Sequence, residues 1–284
     1  MDHAVTDEFS AFIRLSEPEM NGVGSEEYKA LVARLDDALS KAEKGELAIS
    51  RMLDPKERRW AEDHLKRRGA QYAFFGGYGE AERQKAYVFP DYIEIGDGSD
   101  IEHLLEEYGY SCGISALTVK GSGYEKIGHR DVLGAVLGLG IKRSVLGDLC
   151  PLDNGDFIVF ADSDVGAFVA DNLTKIGRDT VRVTVTDTRG VSIPPRKTQE
   201  IKDTVASPRL DAVVAALCNL SRDKARAAVE AGLVDVDFEN EERPDFTVHN
   251  GAVLSVRGQG RFTVSSVDGL TRKGRYRLEA KKYI

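Results

Sequence analysis

Apolar residues recur at helical spacing in the first third of the chain. From Ser25 to Lys44, Tyr28, Leu31, Val32, Leu35 and Leu39 make one stripe, with Ser25 placed to cap the helix and Gly45 to stop it. Asp54 and Pro55 open a second helix that runs through Arg68. There Asp54 caps, Pro55 takes the first helical position, where its missing N–H costs nothing, and Gly69 ends the helix. Trp60 and Leu65 fall on its inward face, and Lys56, Arg58, Arg59, Lys66, Arg67 and Arg68 make it the most basic helix of this region. A shorter helix is predicted from Asp7 to Leu15, with Phe9, Phe12 and Ile13 inward, followed by a break at Asn21-Gly-Val-Gly. Gln71–Phe75 and Lys85–Phe89 read as a strand pair around a Gly76-Gly77-Tyr78-Gly79 turn. Asp97-Gly98-Ser99 opens a helix from Asp100 to Tyr108.

The pattern then changes to short apolar runs alternating with helical segments. A strand from Ile114 to Gly121, a helix near Arg130–Leu139, strands near Val145–Cys150 and Asp156–Ala161, a helix over Asp162–Leu173 and a strand over Thr180–Thr186 give the order βαββαβ of a ferredoxin-like plait. RNA-binding proteins use this plait widely. The central strand Asp156-Phe157-Ile158-Val159-Phe160 lacks the aromatic consensus of the RNA-recognition motif, so base stacking on this sheet is not expected. Ile193-Pro194-Pro195-Arg196-Lys197 reads as the exit, and Gln199–Ala206 as a strand leading into the last part. The predicted class is α+β: a mixed helical domain over 1–110, the plait over 111–192, and a helix pair with a small β-sheet over 193–284.

The helix pair organises that last part. Ser207 is a good N-cap and Pro208 suits the first helical position, and Leu210, Val213, Val214 and Leu217 then form one stripe. Asn219 and Leu220 break the pattern, Ser221 caps a second helix, and Ala225, Ala228 and Val229 face inward. Arg222 and Arg226 are four apart and share a face that Lys224 widens. Gly232 is placed to end the helix in a left-handed conformation, with strands near Leu233, Val253, Phe262 and Tyr276 beyond it. The tail from Arg272 to Arg277, with Lys281 and Lys282, is basic and aromatic.

The order Arg209-Leu210-Asp211, then Ser221-Arg222-x-x-Ala225, then Gly232-x-Val234-x-Val236 resembles the alpha-L RNA-binding domain of the ribosomal protein S-four type. The run Ser255-Val-Arg-Gly-Gln-Gly-Arg-Phe262 continues that likeness. In the plait, the stretch from Gly128-His129-Arg130-Asp131 to Gly140-Ile141-Lys142-Arg143, with Gly147-Asp148, resembles the bacterial YlmH family. The resemblance implies RNA contacts from Arg209, Arg222, Lys224, Arg226, Arg257 and Arg261, and a second RNA surface at His129, Arg130, Lys142 and Arg143. A second reading of the plait run is that its glycines serve tight packing, Asp131 caps locally and the charges are solvated. The chain departs from the alpha-L pattern at Asp237, where Asn is usual, at the acidic Glu239, Glu241 and Glu242, and at Gly251-Ala252 in place of Gly-Asp.

Composition narrows the function. The net charge is −8, but Ser207–Ile284 carries +2 and residues 1–206 carry −10. RNA affinity depends on local phosphate neutralisation, so a basic face works on an acidic protein, and the acidic remainder favours a shaped site over indiscriminate binding. Cys112, Cys150 and Cys218 are scattered and without metal-ligand spacing, which fits buried thiols in a reduced cytoplasmic protein. No membrane span, Walker loop, nucleophile elbow or metal-spaced His cluster is legible, so no catalytic residue, metal or cofactor is expected. The family resemblance implies a non-enzymatic, monomeric, cytoplasmic RNA-binding protein. Its partners would be rRNA and tRNA on the large ribosomal subunit, in ribosome-associated quality control of stalled translation. The alternative is an RNA-modifying enzyme of pseudouridine synthase or methyltransferase type with a divergent active site, and a third reading is a structural protein at the membrane or division site.

Overall fold

The computed structural model describes residues 23–96 and 100–284; the predicted segments at Asp7–Leu15 and Asp97–Ser99 lie outside them. The chain divides into two compact units. Among the described residues, one comprises 23–50, 57–74 and 86–96, and the other comprises 51–56, 75–85 and 100–284.

In the first unit, helix α1 (Val23–Glu43) buries Leu31, Leu35 and Leu39 of the predicted stripe and half-buries Tyr28 and Val32, and it buries Ala42 as well. The helix starts two residues before Ser25, inside the expected break. Helix α2 (Pro55–Arg67) buries Trp60, Ala61, His64 and Leu65. Tyr28 meets the Trp60 ring edge to face at 5.5 Å, and His64 Nε2 lies 3.0 Å from Asp36 Oδ1. A short strand β1 (Ala48–Ile49), absent from the sequence reading, sits beside β3 (Lys85–Phe89), with β2 (Gln71–Phe75) on the other side. The basic face of α2 is largely committed within the unit. Arg58 lies over the Phe74 ring, Arg67 donates to Tyr28 Oη and Arg68 donates to Asp36.

In the second unit, helix α3 (Ile101–Glu107) is capped by the Asp100 carboxylate, which accepts from the Glu102 and His103 amides. Next come β4 (Ile114–Gly121), α4 (His129–Gly138), β5 (Leu146–Pro151), β6 (Phe157–Asp162), α5 (Ser163–Asn172), β7 (Lys175–Ile176) and β8 (Asp179–Thr186). The antiparallel sheet order β5-β6-β4-β8 is that of the ferredoxin-like plait, with β7 as an added edge. Strand alternation splits the apolar residues between two faces. Leu117, Val119, Val159 and Ala161 pack with Val132, Val136 and Val169 of the helices. Ile114, Ala116, Ile158 and Phe160 form a second cluster on the opposite face.

The rest of this unit is one six-stranded sheet under a helix pair. Strands β9 (Thr198–Val205), β10 (Val234–Val236), β11 (Glu239–Asn240), β12 (Val253–Val256), β13 (Gly260–Leu270) and β14 (Tyr276–Tyr283) pair in the order β11-β10-β12-β13-β14-β9. Their inward residues share a core with Leu210, Val213, Val214 and Leu217 of α6 (Leu210–Cys218) and Ala225 and Val229 of α7 (Arg222–Glu230). A register shift between Val264 and Ser266 changes the parity of β13, which is why Val267 rather than Ser266 points inward. Among the described residues no helix is long and apolar enough to cross a membrane.

Candidate nucleic-acid interface

Helix α6 does not start on a side-chain cap. Arg209, not Ser207, holds the cap position, and its side chain makes no capping bond. The first amides of the helix are instead satisfied by the backbone around the Pro244–Asp245 turn. The Leu210 N–H donates to the Phe246 carbonyl at 2.8 Å, and the Asp211 N–H donates to the Pro244 carbonyl at 3.0 Å. The sequence-based capping rule fails here because backbone from 36 residues downstream, at Phe246, fills the role locally assigned to a hydroxyl. The helix ends at Asn219 in the left-handed region, at φ 53°. Ser221 then caps α7 by accepting from the Lys224 amide, and Gly232 closes the pair at φ 66°.

This geometry gathers Arg209 and Arg222 on one acid. The Asp211 side chain is only 5% exposed. Arg209 Nε lies 3.2 Å from its Oδ1 and Arg209 Nη2 lies 3.3 Å from its Oδ2. Arg222 Nη2 donates to Oδ1 at 3.1 Å, and its Nε donates to Oδ2 at 3.3 Å. Burial alone would raise the Asp211 carboxyl, but the hydrogen bonds and charges of Arg209 and Arg222 outweigh it and hold it below the ordinary range. The two arginine side chains remain 40% and 48% exposed. One buried negative charge therefore orients two positive ones, and these three groups together keep a positive excess. Pre-ordered guanidiniums are suited to phosphate, because little side-chain entropy is left to lose on contact. The sequence motif includes Asp211 beside the arginines but does not by itself give its carboxylate a role. An acid on the first helical turn, next to the apolar stripe and two residues after Arg209, was the available signal.

The other predicted C-terminal residues are placed differently. Arg226 donates to Glu230 at 2.8 Å, one helical turn on, in an exposed pair of the weak surface kind. Lys224 and Arg257 are exposed. Arg261, on β13, donates Nη1 to Glu82 Oε1 at 2.7 Å and lies over the Phe238 ring. The acidic loop after β10 is partly neutralised: Asp237 accepts from the Val253 amide and lies 2.7 Å from His249 Nε2, and Glu241 binds the Arg243 guanidinium.

In the plait, His129 and Arg130 stand exposed at the start of α4, where Asp131 Oδ2 accepts from the Gly128 amide at 2.9 Å. Lys142 is exposed ahead of the 3-10 turn at Arg143–Val145. Arg143 is half-buried and donates Nη1 to the Leu146 carbonyl at 2.7 Å and to the Gly147 carbonyl at 3.0 Å. Burial first, then the neighbouring Arg83 charge, push its pKa down to about 10. The sheet face that carries Phe160 is covered from within: Tyr78 stacks on the Phe160 ring at 5.1 Å between centroids and 19° between planes. The Gly76–Gly79 stretch is thus less a plain hairpin turn than a cover for this face. A Cβ at Gly77, whose φ is 98°, would fall 2.4 Å from the Phe160 ring, so the close approach needs glycine.

Next to that cover, a cleft of about 1250 Å³ is lined by both the plait and the C-terminal part. Asp148 is its hub, accepting from Tyr78 Oη at 2.8 Å, from the amides of Glu82 and Arg83, and from Arg196 at 3.3 Å. Arg196 and Arg261 both pair with Glu82. Burial would raise the Glu82 carboxyl, yet Arg261 and Arg196 hold it below its ordinary range.

Residues 113–189, which contain the plait, match the family model described as "Putative RNA-binding domain in YlmH". The chain is 32% identical over 232 residues to the ribosome-associated protein quality control protein P2 of Bacillus subtilis (strain 168), covering 82% of this chain and 86% of that one. The chain belongs to the YlmH family. A solved structure, the cell division protein ylmH from Streptococcus pneumoniae, aligns with a TM-score of 0.48 at 15% identity, over 62% of this chain and 98% of the other. Membership supports an RNA-binding role, and the region matched by the family's RNA-binding domain model lies at 113–189.

Proposed function

We propose that this YlmH-family chain is a non-enzymatic adaptor that binds structured rRNA and tRNA on the large ribosomal subunit during ribosome-associated quality control. The observation that carries the reading is the Asp211 bracket, which holds Arg209 and Arg222 on one carboxylate while both side chains stay partly exposed. Lys224 and Arg226 extend this face along α7. His129, Arg130 and Lys142 supply a second basic group on the plait. Phosphate contacts position the protein, and the shape of the folded RNA selects the site. The relative's name, a ribosome-associated quality control protein, supports the ribosomal setting.

The test is sedimentation of the tagged chain from lysate through sucrose, at low and moderate salt, with sequencing of the RNA that co-purifies. Co-migration with large subunits that carry tRNA, lost as salt rises, is the expected result. A chain that stays at the top of the gradient without RNA contradicts the proposal.

A further inference from the structure

Glu82 sits at the meeting point of three parts of the second unit. It belongs to the loop that carries Tyr78 onto the plait, and its carboxylate receives one guanidinium from the linker and one from strand β13. Both guanidiniums reach the same oxygen, Oε1, through Nη1.

The two arginines are held unequally. Arg196 has further acceptors in Tyr78 Oη at 3.2 Å, the Glu80 carbonyl at 3.3 Å and Asp148 Oδ2 at 3.3 Å. It stays in place without Glu82. Among the described residues Arg261 has Glu82 as its hydrogen-bond acceptor, with the Phe238 ring 5.4 Å beneath its guanidinium. The Arg261 side chain is 35% exposed and Glu82 28%, so solvent reaches the pair. A guanidinium has five N–H donors, and Arg261 spends one of them on Glu82. The ring offers its face to the cation and takes none of the guanidinium's N–H donors as a hydrogen-bond acceptor oxygen would. A cation so positioned, held by one replaceable carboxylate, suits an anion with more oxygens and more charge.

We propose that Glu82 is an internal stand-in for an RNA backbone phosphate: in the free chain it occupies Arg261, and a phosphate takes its place when RNA binds. The inference rests on the RNA-binding reading of the helix-pair domain and adds a regulated contact to it. The exchange unties the Tyr78 loop from strand β13, while Arg196 and Asp148 keep that loop on the plait. The carboxylate also acts as a filter. A polyanion that cannot present a phosphate at Arg261 meets the Glu82 charge instead. That explains how a chain with net charge −8 can discriminate among polyanions.

The test compares the full-length wild type, Glu82→Gln, Arg261→Gln and the double variant by anisotropy titration of a fluorescein-labelled RNA stem-loop, with Arg222→Glu in parallel. Glu82→Gln is expected to bind about fivefold more tightly and Arg261→Gln about fivefold more weakly, the scale of one partly exposed ion pair. The double variant is expected to match Arg261→Gln, because Glu82 acts through Arg261. Binding by Glu82→Gln that is unchanged or weaker, with an unchanged melting temperature, overturns the proposal. So does a gain that persists without Arg261, which would mark a general charge effect. If Glu82→Gln melts early, the Arg261 guanidinium NMR resonances of the wild type decide. A shift of those resonances on adding the stem-loop, with the amides of Glu82 and Arg83 still protected by Asp148, supports the exchange, and unshifted resonances overturn it. The underlying RNA reading fails separately, when Arg222→Glu binds as the wild type does; a wild type that binds no stem-loop overturns both.

Discussion

The Asp211 carboxylate accepts from the Arg222 guanidinium at 3.1 Å across the turn that joins the two helices of the C-terminal domain, and the same carboxylate holds Arg209. The acid is buried and both bases reach solvent, so it orients them without cancelling them. Asp211→Asn keeps the shape of the side chain and removes its charge. It is expected to lower stability by about 1–3 kcal/mol, the cost of weakening hydrogen bonds to a charged group. RNA binding should weaken as well, because the guanidiniums lose their common anchor. Chemical denaturation and an RNA titration of the same preparation check both outcomes.

The same pair sets an acid limit. Asp211 and Glu82 are both held below the ordinary carboxylate range in the folded chain. A depressed folded pKa contributes stability that is complete above the unfolded value, about 4, and that disappears as pH falls through the lower folded value. The melting temperature should therefore be insensitive to these two groups near neutrality and fall below about pH 4. In Asp211→Asn the fall should be shallower. An identical acid slope in wild type and variant would remove Asp211 from the explanation.

The cover on the plait gives a separate prediction. Tyr78→Ala removes the ring stacked on Phe160 and the hydroxyl that donates to Asp148. A loss of about 2–4 kcal/mol is expected for the ring and its bond together. Tyr78→Phe, which removes the hydroxyl alone, should cost roughly 1 kcal/mol. Gly77→Ala should be at least as harmful as Tyr78→Phe, since its methyl group meets the Phe160 ring in a left-handed backbone. Denaturant midpoints of the three variants test this order.

The plait contact is tested by His129→Ala combined with Lys142→Glu. Both side chains are exposed, so the melting temperature should stay within about a degree or two of wild type, as for most surface changes. Ribosome association should fall, with a shallower salt dependence as phosphate contacts are lost. Unchanged association would return these charges to the solvated reading.

Much of the fold was legible because it is written in local periodicity. Leu210, Val213, Val214 and Leu217 announced a helix, and the unbroken apolar run from Phe157 to Phe160 announced a strand buried on both faces. The features that escaped depend on partners distant in sequence. The cap of α6 comes from the carbonyls of Pro244 and Phe246, so Ser207 and Pro208 misled. Tyr78 looked like a turn residue because its partner, Phe160, lies 82 positions further on. Arg261 looked like a free basic residue because the acid beside it, Glu82, is 179 positions away. Asp211 is the exception: it stood beside Arg209 in the sequence, and only its burial was hidden.

The central claim is that the face of α6 and α7 binds RNA phosphates. Arg222→Glu tests it but also takes a partner from Asp211, so it is paired with Lys224→Glu plus Arg226→Glu, which changes exposed charges alone. The measurement is a titration of a structured ribosomal RNA fragment against the full-length wild type and both variants, with melting curves for each. The account predicts that the surface variant melts as the wild type does and binds at least about tenfold more weakly, a difference of roughly 1.4 kcal/mol. Arg222→Glu should bind more weakly still. Wild-type affinity in both variants, with the fold intact, would contradict the claim and leave the helix pair a structural element.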